Sequence, residues 1–197
     1  MKKIIELRNQ LPNAGDGDKA KILVKISEEY SKLNDTEKSS THLNKAIIEA
    51  KKCKQDKCLA DCYHRLGLIE WKKNEFLLAQ QNFKKAQEYF EEINDKVLAA
   101  KMVMSIGVTN WNLGNNYQAL AELRESVFKI IKTKDKILLA NAYNWLGIVC
   151  SELNELEKAM KYYLKGLRIH EKLSNKLGVA IAKNSIGLIY LKIVHYG

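Results

Sequence analysis

Apolar and small side chains recur three or four residues apart through most of the chain, most clearly from Leu139 to Leu177. Residues at that spacing share one face of an α-helix, so the segment predicts two amphipathic helices in succession. The predicted faces carry Ala140, Tyr143, Leu146, Gly147 and Cys150 in the first helix, and Leu156, Ala159, Tyr163, Gly166, Ile169 and Leu173 in the second. Asn154, with Glu157 three residues later, is typical of a helix N-cap and its capping-box partner, and it predicts the turn between the helices.

The same pattern returns along the chain with a fixed period. Four glycines, each preceded by leucine or isoleucine, lie 40 residues apart: Gly67, Gly107, Gly147 and Gly187. Glycine inside a helix costs roughly 1 kcal/mol relative to alanine, so its return indicates a neighbouring helix too close for a side chain. The second helices carry a small residue and, four positions later, a large one: Ser39 and Leu43, Ala79 and Phe83, Ala119 and Leu123, Ala159 and Tyr163. Such self-similarity predicts a helical solenoid.

Two copies carry a more specific motif. It consists of Tyr63, Leu66, Gly67, Ala79, Phe83 and Ala86 in one copy, and of Tyr143, Leu146, Gly147, Ala159 and Tyr163 in another. The motif resembles the tetratricopeptide repeat, whose pattern is W-x2-L-G-x2-Y, then A-x3-F, then A. The usual repeat has about 34 residues and ends in proline, and HEAT-type repeats have a longer period but lack this motif. We interpret the chain as a long-helix variant, which implies an all-α, right-handed α-solenoid of stacked helix-turn-helix repeats.

The repeat register divides the chain. Residues 1–18 are expected to form an N-terminal helix and a loop, and residues 19–197 a tetratricopeptide domain. Its predicted repeats are 19–58, 59–98, 99–138 and 139–178, with a half repeat at 179–197. The last helix has no second helix to cover its apolar flank. It would cap the solenoid, pair with another chain as a homodimer, or belong to a fragment of a longer protein, and we favour the fragment.

Composition narrows the function classes. The net charge of +10 would suit a nucleic-acid partner. Many lysines, however, fall where a second helix ends, as Lys51, Lys52, Lys129 and Lys132 do. Cations there oppose the negative end of the helix dipole, so solvated helix ends are the favoured interpretation and nucleic acid is not an expected partner. No run approaches the roughly 18 apolar residues of a membrane span, and the N-terminus lacks a signal-peptide pattern, so we expect a cytoplasmic protein without membrane contact.

Signatures of catalysis and metal binding are weak. The sequence has no P-loop, G-x-G-x-x-G, G-x-S-x-G or H-E-x-x-H motif, so we expect no enzyme activity and no cofactor. Cys53, Cys58, Cys62 and His64 form a cluster with zinc-ligand chemistry. The three cysteines fall where other copies carry apolar or small residues, however, and a buried free cysteine behaves as a small hydrophobe. We therefore predict core cysteines and no metal site.

The resemblance implies where a ligand would bind, because first helices line a concave groove in this family. Carried onto this sequence, the groove register gives as candidate peptide-binding residues Asp61, His64, Leu68, Trp71, Lys101, Met104, Trp111, Asn141, Asn144 and Asn184. The same register includes Lys21, Val24, Glu28 and Ser31 in the first repeat, Val108, Ile148 and Ser151 in later ones, and Ile181, Leu188 and Leu191 in the last helix.

Within this set, tryptophans and asparagines have the most informative chemistry. Trp71 and Trp111 are one period apart and would be neighbouring binding hot spots, or else each packs into an adjacent repeat. Asn141, Asn144 and Asn184 would hydrogen-bond the backbone of an extended peptide. A lysine/asparagine clamp for a C-terminal carboxylate, as in chaperone-binding members, is not matched.

We hypothesise a non-catalytic scaffold that binds a protein or peptide segment in this groove. The alternative is the N-terminal sensory domain of a longer bacterial signalling enzyme, a histidine kinase or nucleotide cyclase, with its catalytic part beyond residue 197. Nucleic-acid binding along the lysine-rich edge is a third and less favoured class.

Overall fold

Helices are the regular elements of the protein. The computed structural model describes residues 1–196, with side chains to Val194, and shows no strand among them. The helices are α1 (Lys2–Gln10), α2 (Asp16–Lys32), α3 (Thr36–Lys52), α4 (Asp56–Lys72), α5 (Phe76–Glu92), α6 (Lys96–Asn112), α7 (Asn116–Ile131), α8 (Lys136–Glu152), α9 (Leu156–Lys172) and α10 (Lys176–Tyr196). A 3₁₀ turn, Leu11–Asn13, follows α1. The all-α class is confirmed, and each predicted repeat border lies three residues after a first helix begins.

Short turns with a left-handed residue end most of the helices. Residues with positive φ occur at a 20-residue spacing that is interrupted once, between Gly114 and Asn154: Asn34, Lys54, Asn74, Asn94, Gly114, Asn154 and Ser174. At Asn154, φ is 58°, and the N–H of Glu155 donates to the Cys150 carbonyl over 2.8 Å, as in a Schellman motif. The prediction that Asn154 caps the next helix was therefore wrong. Asparagine tolerates the left-handed region, and it ends α8 rather than starting α9.

Contacts divide the chain into two compact units, Met1–Asp95 and Lys96–Gly197. In the first unit, α2 pairs with α3 and α4 pairs with α5. A Cβ atom at Gly67 would lie 2.5 Å from the Phe83 ring, so the glycine admits the large side chain of the second helix. In the first pair Ser27 replaces glycine, and its hydroxyl lies 2.9 Å from that of Ser39. The N-terminal helix α1 covers α2 through Ile4 and Leu7.

The second unit repeats the arrangement with the pairs α6–α7 and α8–α9, followed by α10 against α9. A Cβ atom at Gly107 would lie 2.9 Å from Leu123, and one at Gly147 would lie 2.5 Å from Tyr163. The expected close crossing is thus confirmed at three of the four glycines. At Gly187 no atom of the described residues lies within 4 Å of such a Cβ position.

Candidate functional site

A groove along the first helices of the first unit contains several of the predicted positions. It has a volume of about 690 Å³, and its lining includes Lys21, Val24, Glu28 and Asp61. These four residues come from α2 and α4, which the repeat places side by side with matching faces. The rest of the lining consists of Lys25, Gln55, Asp56, Lys57, Cys58, Arg65 and Ile93. The groove is therefore rich in charges of both signs.

An ion pair crosses this groove. The Arg65 guanidinium donates to the Glu28 carboxylate over 2.5 Å, with a little over a third of each side chain exposed. Asp61 lies in the same groove, where burial raises the pKa of its carboxyl above the ordinary value and outweighs the opposing effect of Arg65 and Lys57. The groove walls therefore combine a fixed ion pair with a partly desolvated carboxyl, which suits a charged or hydrogen-bonding segment.

The remaining candidates of the first unit have different surroundings. His64 is half-buried, and its ring centroid lies 6.4 Å from that of Phe83 on α5. Leu68 is 42% exposed. Trp71 is half-buried, and among the described residues its indole nitrogen has no hydrogen-bond partner although it is shielded from solvent. Leu68 is thus accessible, whereas much of Trp71 is covered.

In the second unit, Trp111 packs against the neighbouring repeat. Its ring centroid lies 5.5 Å from that of Trp145 on α8, at an interplanar angle of 56°, and both rings contact the apolar core. Of the two roles predicted for Trp111, a binding hot spot or packing into an adjacent repeat, the structure shows packing. Met104 is 9% exposed and belongs to the same core, while Lys101 is half-buried. Trp71 and Trp111 lie in different units, so their expected proximity stays a prediction.

A second groove lies between α8 and α10. Its volume is about 570 Å³, and its lining is Ile148, Ser151, Glu152, Tyr163, Ser185, Leu188, Ile189, Leu191 and Lys192. Four of these, Ile148, Ser151, Leu188 and Leu191, are predicted groove positions. Lys192 donates to the Ser151 hydroxyl over 2.9 Å and lies 3.8 Å from a Glu152 oxygen. Apolar side chains make up more of this groove than of the first one.

The three asparagines do not share one environment. Asn141 and Asn184 are exposed on α8 and α10. The Asn144 side-chain oxygen is buried without a hydrogen-bond partner among the described residues, and it would lie 2.5 Å from a Cβ atom at Gly166. Asn144 therefore faces α9, which leaves Asn141 and Asn184 as the accessible amides. Their binding to a peptide backbone stays a prediction.

Sequence reasoning missed a further position of the groove. One position of the 40-residue repeat is occupied by Lys25, Arg65, Trp145 and Ser185, with Ser105 in the copy between Arg65 and Trp145. Lys25, Arg65 and Ser185 line the two grooves, and Trp145 contacts Trp111. Each follows a predicted groove position directly, because the groove-facing side of each helix is wider than one row of residues. The repeat register itself was the signal that could have found them.

The cysteines are free thiols in the structure. A hydrogen bond between Cys58 and Cys62 lowers the pKa of Cys58 and, together with burial, raises that of Cys62. Within the described residues no group of three or more histidine, cysteine, aspartate and glutamate side chains has the arrangement of a metal site. Cys62 is fully buried, whereas Cys58 lines the first groove.

Helix α10 contradicts the expectation that no segment approaches the length and apolar character of a membrane span. Within the described residues, Lys176–Val194 of α10 is long and apolar enough to cross a membrane, with a mean hydropathy of 1.5, and 17% of it is buried. Counting consecutive apolar residues missed this segment because lysine, asparagine and serine interrupt it. Length and composition alone are weak evidence for a span.

Comparisons with known proteins agree with the repeat pattern. The family model described as tetratricopeptide repeat matches residues 20–47, 60–92 and 140–172. Regulatory protein RapG of Bacillus subtilis (strain 168) is 26% identical over 125 residues, which are 63% of this chain and 34% of that protein. The chain thus spans about a third of the length of this relative.

Two solved structures show the same fold. A signal transduction ATPase with numerous domains from Pyrococcus horikoshii, which has a tetratricopeptide repeat sensor, has a TM-score of 0.85 at 19% identity, covering 94% of this chain and 29% of that one. Aspartyl phosphate phosphatase F from Bacillus subtilis has a TM-score of 0.83 at 18% identity, covering 89% of this chain and 46% of that one. The helix pairs, the glycine crossings and the matched residues lead to one conclusion: the chain contains tetratricopeptide repeats, which recur here with a 40-residue period.

Proposed function

We propose that the protein is a non-catalytic scaffold whose first helices hold a protein or peptide segment. Tetratricopeptide repeats are protein-interaction modules, and the similarity to a regulatory protein fits that role. The observation that carries the proposal is that predicted groove positions line a cavity in each unit, of about 690 and 570 Å³. Preformed rigid walls favour binding because the protein loses little conformational freedom when the ligand arrives.

The two cavities suit ligand segments of different chemistry. In the first unit, the side chains of Lys21, Lys25 and Lys57 accompany the Arg65–Glu28 pair and offer contacts to carboxylates. In the second unit, Leu188 and Leu191 are each more than half exposed and offer contacts to apolar side chains, while Asn141 and Asn184 offer amides. The first cavity therefore suits an acidic segment, and the second suits an apolar one.

The test is capture of partners by the full chain, followed by groove variants. We expect Arg65→Glu and Leu188→Asp each to release a captured partner. Lys84→Glu and Leu77→Asp are the matched controls, since both residues are exposed on the second helix α5, and they should leave binding unchanged. Loss of binding in the controls, or retention in both groove variants, would contradict the proposal.

Absence of catalysis is part of the proposal and needs its own test. Aspartyl phosphate phosphatase F, a structural neighbour, is named as an enzyme, although 18% identity shows the fold alone. We expect no release of phosphate from an aspartyl-phosphate protein, even at concentrations of this protein that saturate partner binding. The sensory-domain alternative, attached to a histidine kinase or nucleotide cyclase, gains no support from the relatives described above. The cytoplasmic location stays a prediction.

A further inference from the structure

Two of the four cysteines, Cys58 and Cys62, lie about one helical turn apart on α4. Residues four positions apart share one face of a helix, so both thiols are on the same side of α4. Cys58 is half-buried and lines the groove of the first unit, whereas Cys62 is fully buried. The pair therefore joins a thiol that a small reagent in the groove can reach to a thiol that the core encloses.

Helix packing accounts for Cys62 but not for the thiol of Cys58. Later copies have Met102 and Ala142 at the position of Cys62, and both are fully buried. A buried cysteine there acts as one more small apolar side chain. At the position of Cys58 a later copy has Leu138, which is 7% exposed, whereas Cys58 borders a cavity with many charged side chains. Its thiol is thus available for chemistry that the leucine lacks.

The surroundings of Cys58 favour its reactive form. Cys58 is the third residue of α4, where the positive end of the helix dipole stabilises a thiolate. The hydrogen bond that the Cys62 thiol donates lowers the pKa of Cys58, and Lys21 acts in the same direction, while burial and Asp61 oppose them. The thiolate is the nucleophilic form of cysteine, so Cys58 reacts more readily than an ordinary cysteine at the same pH.

The other two cysteines provide internal comparisons. Cys53 is half-buried as well, at the C-terminal end of α3, so it tests whether exposure alone makes a thiol of this chain reactive. Cys150 is fully buried, and burial raises the pKa of its thiol. It therefore represents a protected thiol.

We propose that Cys58 is a redox-modification site: hydrogen peroxide oxidises its thiol, and Cys62 then converts the product to a disulfide. In the first step the Cys58 sulfur attacks one peroxide oxygen and breaks the O–O bond, which gives a sulfenic acid and water. In the second step the Cys62 sulfur attacks the Cys58 sulfur, displaces its hydroxyl as a second water and forms the S–S bond. The peroxide accepts the two electrons that the two thiols lose.

The disulfide is within reach of α4 but alters its first turn. Four residues of helix span about 6 Å, near the upper end of the Cα separations that disulfides bridge. Closing the bond draws Cys58 toward Cys62, and the first turn can yield because its N–H groups lack acceptors within the helix. Oxidation therefore removes the thiol from the groove wall. An effect on partner binding rests on the proposed function, whereas the chemistry of the thiols does not.

Mass spectrometry of the full chain treated with hydrogen peroxide tests the proposal. Free thiols are blocked with N-ethylmaleimide, and trypsin then releases residues 58–65, which contain both cysteines. We expect this peptide to lose the mass of two hydrogen atoms and to escape blocking, and we expect dithiothreitol to reverse both changes. Cys58→Ser should leave Cys62 reduced, and Cys53→Ser, the matched control, should not change the rate of oxidation.

Two substitutions at Cys62 separate its two roles. Cys62→Ser keeps a hydrogen-bond donor but removes the second sulfur, so the sulfenic acid of Cys58 should accumulate and be captured by dimedone. Cys62→Ala removes both the donor and the sulfur, and it should slow the reaction of Cys58 with peroxide about threefold. Circular dichroism of both variants checks that the helices are retained.

Several outcomes would overturn the proposal. Oxidation of Cys53 as fast as that of Cys58 would show that exposure alone governs reactivity. A disulfide from Cys58 to Cys53, or between two chains, would exclude Cys62 as its partner. Equal rates for the native and the urea-unfolded chain would show that the fold does not activate Cys58. Because the assay contains no partner, its failure leaves the groove function untouched, and retention of a partner by Arg65→Glu leaves the thiol chemistry untouched.

Discussion

The grooves of the two units differ more than the helix pairs that form them. In both units a helical glycine admits a large residue of the next helix, Phe83 against Gly67 and Tyr163 against Gly147. The grooves diverge because one contains the Arg65–Glu28 ion pair and the other contains Leu188 and Leu191. Packing residues are fixed by sterics, which each copy must satisfy in the same way. Groove residues are not held by this packing and are free to vary, so under the proposed function they would determine the specificity.

The substitutions with the largest expected effect test the helix packing that the two units share. Gly67→Leu and Gly147→Leu should each lower the free energy of unfolding by about 3 kcal/mol, because the new side chain overlaps an aromatic ring. Urea denaturation followed by circular dichroism measures the loss. Gly187→Leu, with an open slot, is the control and should unfold like the wild type. If Gly67→Leu kept wild-type stability, the common packing would not depend on this contact.

Tryptophan truncation separates packing from recognition. Trp111→Ala should cost about 2 kcal/mol of stability, since the ring packs on Trp145 and the core. Trp71→Ala should weaken partner binding by about 2 kcal/mol, because we predict that its ring is a binding hot spot. Thermal melts and partner titrations of both variants measure the two effects. A loss of melting temperature in Trp71→Ala, without a loss of affinity, would make both rings structural.

Charge swaps probe the first groove alone. Arg65→Glu places two carboxylates together and should cost about 0.5 kcal/mol of stability, as expected for a partly exposed pair. Adding Glu28→Arg restores opposite charges and should recover most of that loss. A double-mutant cycle from chemical denaturation gives the coupling energy. A coupling of zero would mean that the pair shapes the groove without stabilising the unit.

The smallest effect is an opposite dependence of the two units on pH. Burial lowers the pKa of His170, which is 1% exposed, below its ordinary value of 6.5. The unfolded state then binds the proton first, so the second unit should lose stability as pH falls below about 6.5. Burial raises the pKa of Asp61 above its ordinary value of 3.8. Its contribution in the first unit is present at low pH and is lost as pH rises through the folded-state pKa.

Hydrogen exchange resolved by segment distinguishes the two dependences. Between pH 7 and pH 5, amides of α9 and α10 should become less protected, and His170→Phe should remove that change. Asp61→Asn should remove the pH dependence of α4 at lower pH. Equal behaviour of His170→Phe and the wild type would show that this ring does not control the acid stability of the second unit.

Sterically determined features of the fold were predictable from sequence. Spacing alone placed Gly147 at a close helix crossing, and the structure shows that the Tyr163 ring occupies the space left by the missing side chain. Sequence could not decide whether Asn154 begins the second helix or ends the first, since asparagine is common both at N-caps and at left-handed helix ends. Its return at the 20-residue spacing of the left-handed residues was the signal that favoured the second use.

The candidate site was predictable only in part. Register placed Val24, Glu28, Leu188 and Leu191 along one predicted groove, because positions recur with the repeat. In the structure the first two line one cavity and the last two line another. Register could not decide between exposure and packing for Trp111. That outcome depended on Trp145, a residue without an aromatic counterpart in the other copies. Contacts made by one copy alone leave no periodic trace.

The left-handed residues at the helix ends have a consequence for the gene. Their 20-residue spacing gives nearly every helix the same length and the same exit. Unequal recombination that inserts or deletes one 40-residue copy would therefore preserve each hairpin while changing which groove residues stand next to one another. New combinations of groove side chains would arise in a single genetic event.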